Sequence, residues 1–182
     1  MFVHIGRFKI ERDYIIVENY PFAPSIAYKN KRLGADEIQN MDLQAAPPTL
    51  RIGNELIFVS ADKKDQLQHF AALNNIPVIK RADIWDWILE PFLDTEYTEQ
   101  THKRLTDLLA KYGLTEDEVS AIREEVKAPM LKYNFGTMLW DWTHLGAWDV
   151  LCAMRSVYDD VQFSGFYRRV MDIALLPDNY PV

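Results

Sequence analysis

The chain has 182 residues, of which 48% are hydrophobic and 26% are charged, and its formal net charge is −7. A chain of this length buries about 70% of its unfolded surface, so it needs no disulfide framework or structural metal to fold. The single cysteine excludes an internal disulfide. The acidic balance argues against a nucleic-acid backbone as the main partner, because such binding depends on cations that neutralise phosphates.

The charge is distributed unevenly along the chain. Residues 1–82 carry 11 Lys/Arg and 9 Asp/Glu, whereas residues 83–182 carry 9 and 18. The local patterns change at the same place, from strands and turns to helices. We therefore predict a sheet-plus-helix unit over residues 1–80 and a helical unit over residues 83–182, packed together as one compact body.

The first unit has β-prone runs at residues 8–10 and 14–17. The basic stretch 29–34 follows two prolines and indicates an irregular loop. A hairpin is predicted over residues 50–59, because a Gly-Asn pair separates two β-prone runs. An apolar face with helical spacing predicts a helix over residues 62–73. These elements predict a small antiparallel sheet with one covering helix.

The second unit begins with short helices. Residues 84–90 have a helical pattern that ends at a proline, and Thr98 is placed to begin the next helix. Thr115 and Glu118 form a capping box, which predicts a further helix start. A last helix is expected to begin at Ser164.

The most apolar part of the chain lies between the capping box and that last helix. Pro129 is predicted to end one helix and to begin a long one over residues 130–158. A helix that is apolar on most of its circumference belongs in the middle of a domain. The chain is therefore predicted to be α+β, with a helical bundle-like unit built around one long apolar helix.

Wound at roughly 100° per residue, the predicted helix places its polar residues within about 80° of one another. This polar stripe consists of Asn134, Thr137, Asp141, His144 and Arg155. Asp141 could orient His144 and raise its pKa, which would make the two residues a catalytic pair with His144 as general base. The alternative is a structural stripe in which the two side chains satisfy each other.

Two acid-x-x-His pairs suggest a second kind of site. Glu99 with His102, and Asp141 with His144, are spaced to share a helix face and could bind one divalent metal ion together. The alternative is two solvent-facing pairs with no metal. No other cofactor is predicted.

The tryptophans and acids of the second unit suggest an interface. Its expected residues are Trp85, Trp87, Trp142, Glu116, Asp117 and Glu118. Tryptophan is enriched at binding hot spots, and an acidic face suits a basic protein partner. The alternatives are packing of the tryptophans within the chain and a solvated acidic surface.

These features predict a non-enzymatic cytoplasmic protein-interaction module, such as an adaptor, an inhibitor or an immunity-type factor. The expected partner is another protein, and neither a nucleic acid nor a membrane is expected to bind. The sequence does not exclude a homo-oligomer. The N-terminal residues carry no signal-peptide pattern. The alternative function is a metal-dependent or His/Asp-assisted enzyme with a cleft beside the predicted helix 130–158. A small-molecule pocket between the two halves is a third reading.

Overall fold

The structure is a computed structural model that describes residues 3–93, 98–136 and 144–177. Within these ranges it contains six strands and six α-helices, which confirms the predicted α+β class. The contacts divide the chain into unit 1, residues 1–82 and 164–172, and unit 2, residues 83–163 and 173–182. The division near residue 82 lies where the sequence pattern changes, but the middle of the last helix belongs to unit 1.

Unit 1 contains two three-stranded antiparallel sheets, where the sequence predicted one. Their orders are β1-β2-β3 and β4-β5-β6. The strands are β1 (Arg7–Ile10), β2 (Tyr14–Tyr20), β3 (Lys29–Gly34), β4 (Asn40–Asp42), β5 (Thr49–Ile52) and β6 (Glu55–Phe58). The predicted hairpin is confirmed as β5 and β6, joined by Gly53, which adopts a φ of 56°, and Asn54.

The basic stretch that was predicted to be a loop is strand β3, so that prediction was wrong. Leu33 is its one buried side chain and lies opposite Ile15 of β2, which is also buried. Most of the other side chains in β3 are exposed and polar, so the strand lacks the alternation of apolar residues that would have identified it. Its pairing with β2 fixes its conformation instead.

A helix, α1 (Lys64–Asn74), follows the second sheet, and its side chains Leu67, Phe70 and Ala71 are buried as the sequence predicted. The middle of α6 (Asp160–Ala174) also contributes to unit 1. Tyr167 of α6 donates a 2.7 Å hydrogen bond to the buried carboxylate of Glu55, which also accepts from the backbone N–H of Ile26. These bonds satisfy a carboxylate that would otherwise be destabilising in the core.

A second buried carboxylate, Asp42, lies at the end of β4. Its Oδ1 accepts from the backbone N–H groups of Gln44 and Ala45, and its Oδ2 accepts from the N–H of Arg81 at 2.7 Å. The Arg81 side chain in turn donates to Thr49 and to a neighbouring asparagine of β4. Burial lowers the pKa of Arg81 below its usual value, and the charge of Asp42 opposes this effect. These hydrogen bonds therefore fix the chain at Arg81, next to the division between the units after residue 82.

Unit 2 is helical over its described residues. Its helices are α2 (Ile84–Leu89), α3 (Glu99–Lys111), α4 (Glu116–Gly136) and α5 (Ala147–Arg155), with the first and last residues of α6. Helix α4 packs against α2 and α5. The predicted starts at Thr98 and Thr115 are confirmed, because each threonine side chain accepts from a backbone N–H three residues later. No helix in the described ranges is both long and apolar enough to cross a membrane.

The predicted single helix over residues 130–158 was wrong. Helix α4 continues through Pro129 to Gly136, residues 144–146 are not helical, and α5 begins at Ala147. The intervening residues 137–143 lie outside the described ranges. Burial of Val126 and Met130, on either side of the proline, stabilises α4 and so offsets the hydrogen bond that a proline cannot donate.

The last helix also begins earlier than predicted. It starts at Asp160 rather than at Ser164. The carboxylate of Asp159 accepts from the backbone N–H groups of Val161 and Gln162 and so caps the first turn. The capping aspartate, rather than the later serine, therefore sets the start of α6.

Replacing Pro129 with alanine is expected to raise the free energy of unfolding by about 1–2 kcal/mol. Alanine restores an N–H that can bond to the carbonyl of Glu125 inside α4. If Pro129 instead occupied the first position of a helix, the same change would be nearly neutral, because that N–H has no helical partner. Urea unfolding of the wild type and P129A distinguishes the two cases, and no gain would contradict a continuous α4.

Candidate functional site

His144 lies between two aspartates of α2. Its Nε2 is 3.0 Å from Oδ2 of Asp83, and its Nδ1 is 2.9 Å from Oδ1 of Asp86. Asp83 is the N-cap of α2, and its other carboxylate oxygen accepts from the backbone N–H of Asp86. The helix start thus places one carboxylate beside each ring nitrogen. We call these three residues the His144 clasp.

The contacts of the His144 clasp are ionic rather than well-aligned hydrogen bonds. Nε2 of His144 and Oδ1 of Asp86 are buried atoms, and neither has a hydrogen bond of good geometry. The three side chains remain partly accessible, with exposed fractions of 33% for His144, 36% for Asp83 and 22% for Asp86. The charges are therefore partly shielded from water, which strengthens the attraction between them. Because the side chains are still partly exposed, solvent continues to weaken this attraction.

The two carboxylates determine the charge of His144. The contact with Asp83, followed by that with Asp86, raises the pKa of His144 to about 10, and burial opposes this shift. At neutral pH the ring is therefore an imidazolium, and both nitrogens carry protons. A general base needs a free lone pair and a pKa near the working pH. In this arrangement His144 has neither, so its geometry suits a structural ion pair.

A buried carboxylate, Asp149, lies in the first turn of α5. It accepts from the backbone N–H of Gly146 at 2.9 Å and from the hydroxyl of Tyr133 at 3.3 Å. Burial raises the pKa of Asp149 to about 6, although these hydrogen bonds oppose the shift. Burial also raises the pKa of Cys152, so its thiol is protonated at neutral pH and is no nucleophile. This group therefore anchors the start of α5.

The described residues of the predicted polar stripe do not share one helix. Arg155 is the last residue of α5, where its guanidinium is 2.9 Å from Asp160 and lies over the ring of Phe163. His144 precedes α5 and is not helical. Asn134 lies in α4, but its side chain, like Thr137 and Asp141, lies outside what the structure describes. The predicted Asp141–His144 pair is therefore untested.

The predicted metal ligands have other neighbours. His102 is 3.3 Å from Glu116, and both side chains are substantially exposed. Glu99 is exposed in the first turn of α3. Among the described residues, no group of three or more His, Cys, Asp or Glu side chains could hold a metal ion.

The tryptophans expected at an interface differ in exposure. Trp85 is completely buried, so it is a core residue, and its predicted interface role was wrong. Trp87 is half-buried, and its ring centre is 5.5 Å from that of Tyr112, with the planes inclined by 57°. Arg123 donates to the carbonyl oxygens of Trp87 and Ile88 at 3.2 and 2.9 Å, which holds this end of α2 in place. The third predicted tryptophan, Trp142, lies outside the described residues.

The predicted acidic residues lie at the start of α4, directly after the turn that follows Tyr112. Glu116, Asp117 and Glu118 are all exposed. Glu118 closes the capping box by accepting from the backbone N–H and the hydroxyl of Thr115 at 2.8 and 2.7 Å. These bonds lower the pKa of Glu118, so it stays ionised well below neutral pH. Glu118 is therefore structural, whereas Glu116 and Asp117 are the acids offered to solvent.

Sequence reasoning missed the partners of His144, which are about 60 positions earlier in the chain. The available signal was local, because Asp83 lies immediately before a helical run and Asp86 lies in its first turn. No family model, curated protein or solved structure matches this chain significantly. The functional argument therefore depends on the geometry of the chain itself.

Proposed function

We propose that this chain is a non-enzymatic, cytoplasmic protein-interaction module of the adaptor, inhibitor or immunity type. Its partner would be a basic protein that binds at the turn between α3 and α4. The observation that carries the proposal is the half-buried Trp87–Tyr112 ring pair, which lies at the turn that leads to exposed Glu116 and Asp117. Aromatic side chains near exposed charges are typical of protein interfaces.

The aromatic and acidic residues would have different roles. Trp87 and Tyr112 would supply apolar contact area, and Arg123 restrains the backbone that carries Trp87. Such restraint lowers the entropy lost on binding. Glu116 and Asp117 would attract a basic partner from a distance and raise the rate of association. This division predicts binding that weakens as salt is added.

A metal-dependent or His/Asp-assisted enzyme is less well supported. Its central residue, His144, is an ion-paired cation between Asp83 and Asp86. The enzyme proposal would require Asp141 to orient His144, and Asp141 lies outside the described residues. The interaction proposal depends only on residues that the structure describes.

Changing Glu116 and Asp117 together to lysine is expected to abolish the salt-sensitive capture of partner proteins by the immobilised chain. Both side chains are exposed, and neither caps a helix, unlike Glu118. Another acid of α4, Glu125, is left unchanged because it accepts a 2.6 Å hydrogen bond from Tyr158. The readout is the set of proteins eluted from a cell extract at increasing salt, compared between wild type and variant.

The matched control changes Asp13 and Asp36, two exposed acids of unit 1, to lysine. It alters the net charge equally and should leave capture unchanged. If the Glu116/Asp117 variant retained the same proteins at the same salt, the proposed binding surface would be excluded. If both variants lost capture equally, the effect would be one of net charge, and the specific surface would again be excluded.

A further inference from the structure

Strand β3 lies at an edge of its sheet, and its hydrogen bonds show which backbone groups face outward. The N–H of Ala35 bonds to the carbonyl of Asp13, which defines this position as a hydrogen-bonded pair with the segment that leads into β2. In an antiparallel ladder such pairs alternate, so Leu33 and Lys31 also bond to β2. The N–H and C=O groups of Arg32 and Asn30 therefore point away from the sheet.

The backbone N–H of the neighbouring residue Gly34 supports this assignment of outward-facing groups. This N–H also points outward and is occupied by the carboxylate of Glu37 at 2.7 Å. Within the described residues, no hydrogen bond occupies the backbone groups of Arg32 or Asn30 beyond the ladder. Lys29, Asn30, Lys31 and Arg32 are all exposed. This open edge thus presents donors and acceptors at the spacing of a strand.

The open edge is also strongly basic. Lys29, Lys31 and Arg32 form no ion pair with an acid among the described residues, in contrast to the paired cations of β1, Arg7 and Lys9. The Arg32 guanidinium is 3.9 Å from the centre of the Tyr14 ring, which orders the side chain on one face of the sheet. Lys31 alternates to the other face. Three cations without counter-charges therefore flank the unpaired backbone groups.

We propose that the outer edge of β3 binds an extended acidic segment of a partner protein by strand addition. The backbone of the segment would pair with Arg32 and Asn30, and its carboxylates would lie beside Arg32 on one face and Lys31 on the other. Main-chain pairing of this kind supplies affinity, and the flanking side chains select the sequence. This site is in unit 1 and does not depend on the proposed function of the α3–α4 turn.

Charge favours this occupant over a second copy of the chain. Pairing two β3 edges would place Lys29, Lys31 and Arg32 beside the same cations of the other copy. Like charges opposite each other in a sheet are destabilising, and lysines on an edge strand commonly prevent such self-association. An acidic strand reverses the sign of every one of these contacts.

The test uses a peptide of two Glu-Glu-Val-Val repeats with a fluorescein label, which places carboxylates on both faces of an extended strand. It is titrated with the full chain and followed by fluorescence anisotropy. Saturable binding that weakens at high salt is expected. The same peptide with lysine in place of glutamate should not bind. A third peptide, N-methylated at every residue, keeps the charge but has no backbone donor along either edge, and it should lose binding as well.

The position of binding is read from amide hydrogen exchange. The outward amides of Asn30 and Arg32 should exchange rapidly in the free chain and become protected with peptide, whereas those of Lys31 and Leu33 are protected in both states. Changing Lys31 to glutamate should weaken the peptide about fivefold. Changing exposed Lys64 of α1 to glutamate is the matched control and should have little effect.

Two outcomes would overturn the proposal. Equal binding of the N-methylated peptide would mean charge attraction without strand addition. Failure of the acidic peptide to bind would overturn strand addition and leave the cations of β3 with the role of preventing self-association. Neither outcome tests the capture of partner proteins through Glu116 and Asp117. That experiment concerns a different surface and a basic partner, whereas the β3 edge is tested with an acidic peptide.

Discussion

Replacing His144 with glutamine is expected to lower the free energy of unfolding by about 2 kcal/mol at pH 7. Glutamine is similar in length and can donate a hydrogen bond, but it carries no charge. The carboxylates of Asp83 and Asp86 would then lack the cation that lies between them at 3.0 and 2.9 Å. The full pKa shift would imply a larger loss, but a third of the His144 side chain is exposed and solvent screening reduces it.

The effect should depend on pH in a defined direction. The pKa of His144 is about 10 in the folded chain and about 6.5 when unfolded. A raised pKa means that the ion pairs stabilise the fold fully below the unfolded value and lose this contribution as pH rises towards the folded value. The difference between the wild type and H144Q should therefore be greatest near pH 6.5 and small at pH 10. Urea unfolding at several pH values measures it.

The control for this experiment is His102→Gln. His102 also contacts a carboxylate, but its side chain and that of Glu116 are 43% and 64% exposed. An exposed pair contributes about 0–1 kcal/mol, so this change should be small at every pH. Burial raises the pKa of Asp149 to about 6, and the charge of His144 opposes this shift. H144Q therefore raises the pKa of Asp149 further, and part of the difference near pH 6.5 comes from Asp149. A loss in H144Q that did not vary between pH 6.5 and 10 would contradict the charged clasp.

The parts of the fold that were predictable from sequence have local causes. Gly53 and Asn54 form the turn of a hairpin within ten residues, and Thr115 and Glu118 satisfy each other across one helical turn. The errors have non-local causes. Helix α4 continues through Pro129 because burial of its apolar side chains opposes the local signal. A local pattern cannot report how much burial will offset an unfavourable residue.

The candidate sites show the same limit. The predicted acid-x-x-His pairs were based only on acids three positions before each histidine. In the structure His144 lies between Asp83 and Asp86. His102 lies beside Glu116. Strand β3 was not predicted from the sequence because most of its side chains are polar. Its open edge is evident only from the pairing with β2. The exposure of the acids at the start of α4 was predictable, because a carboxylate is rarely buried without a partner. Contacts between residues that are distant in the sequence were not predictable.

Changing Asp42 to asparagine is expected to lower the free energy of unfolding by about 3 kcal/mol, the largest single effect proposed for unit 1. Asp42 is 2% exposed, and its two oxygens accept three backbone N–H groups, from Gln44, Ala45 and Arg81. Asparagine has one acceptor oxygen, so its amide group would face an N–H donor. The change also removes the negative charge that stabilises the partly buried guanidinium of Arg81.

The two parts of this loss can be separated. Asp13→Asn, at an exposed position, makes the same chemical change and should have little effect. Arg81→Met combined with Asp42→Asn removes the cation that would be left without its counter-charge, so the double variant should lose less than the sum of the two single changes. Strict additivity in urea unfolding would show that Asp42 acts only through the backbone N–H groups. A shortfall from additivity would measure the charge coupling between Asp42 and Arg81.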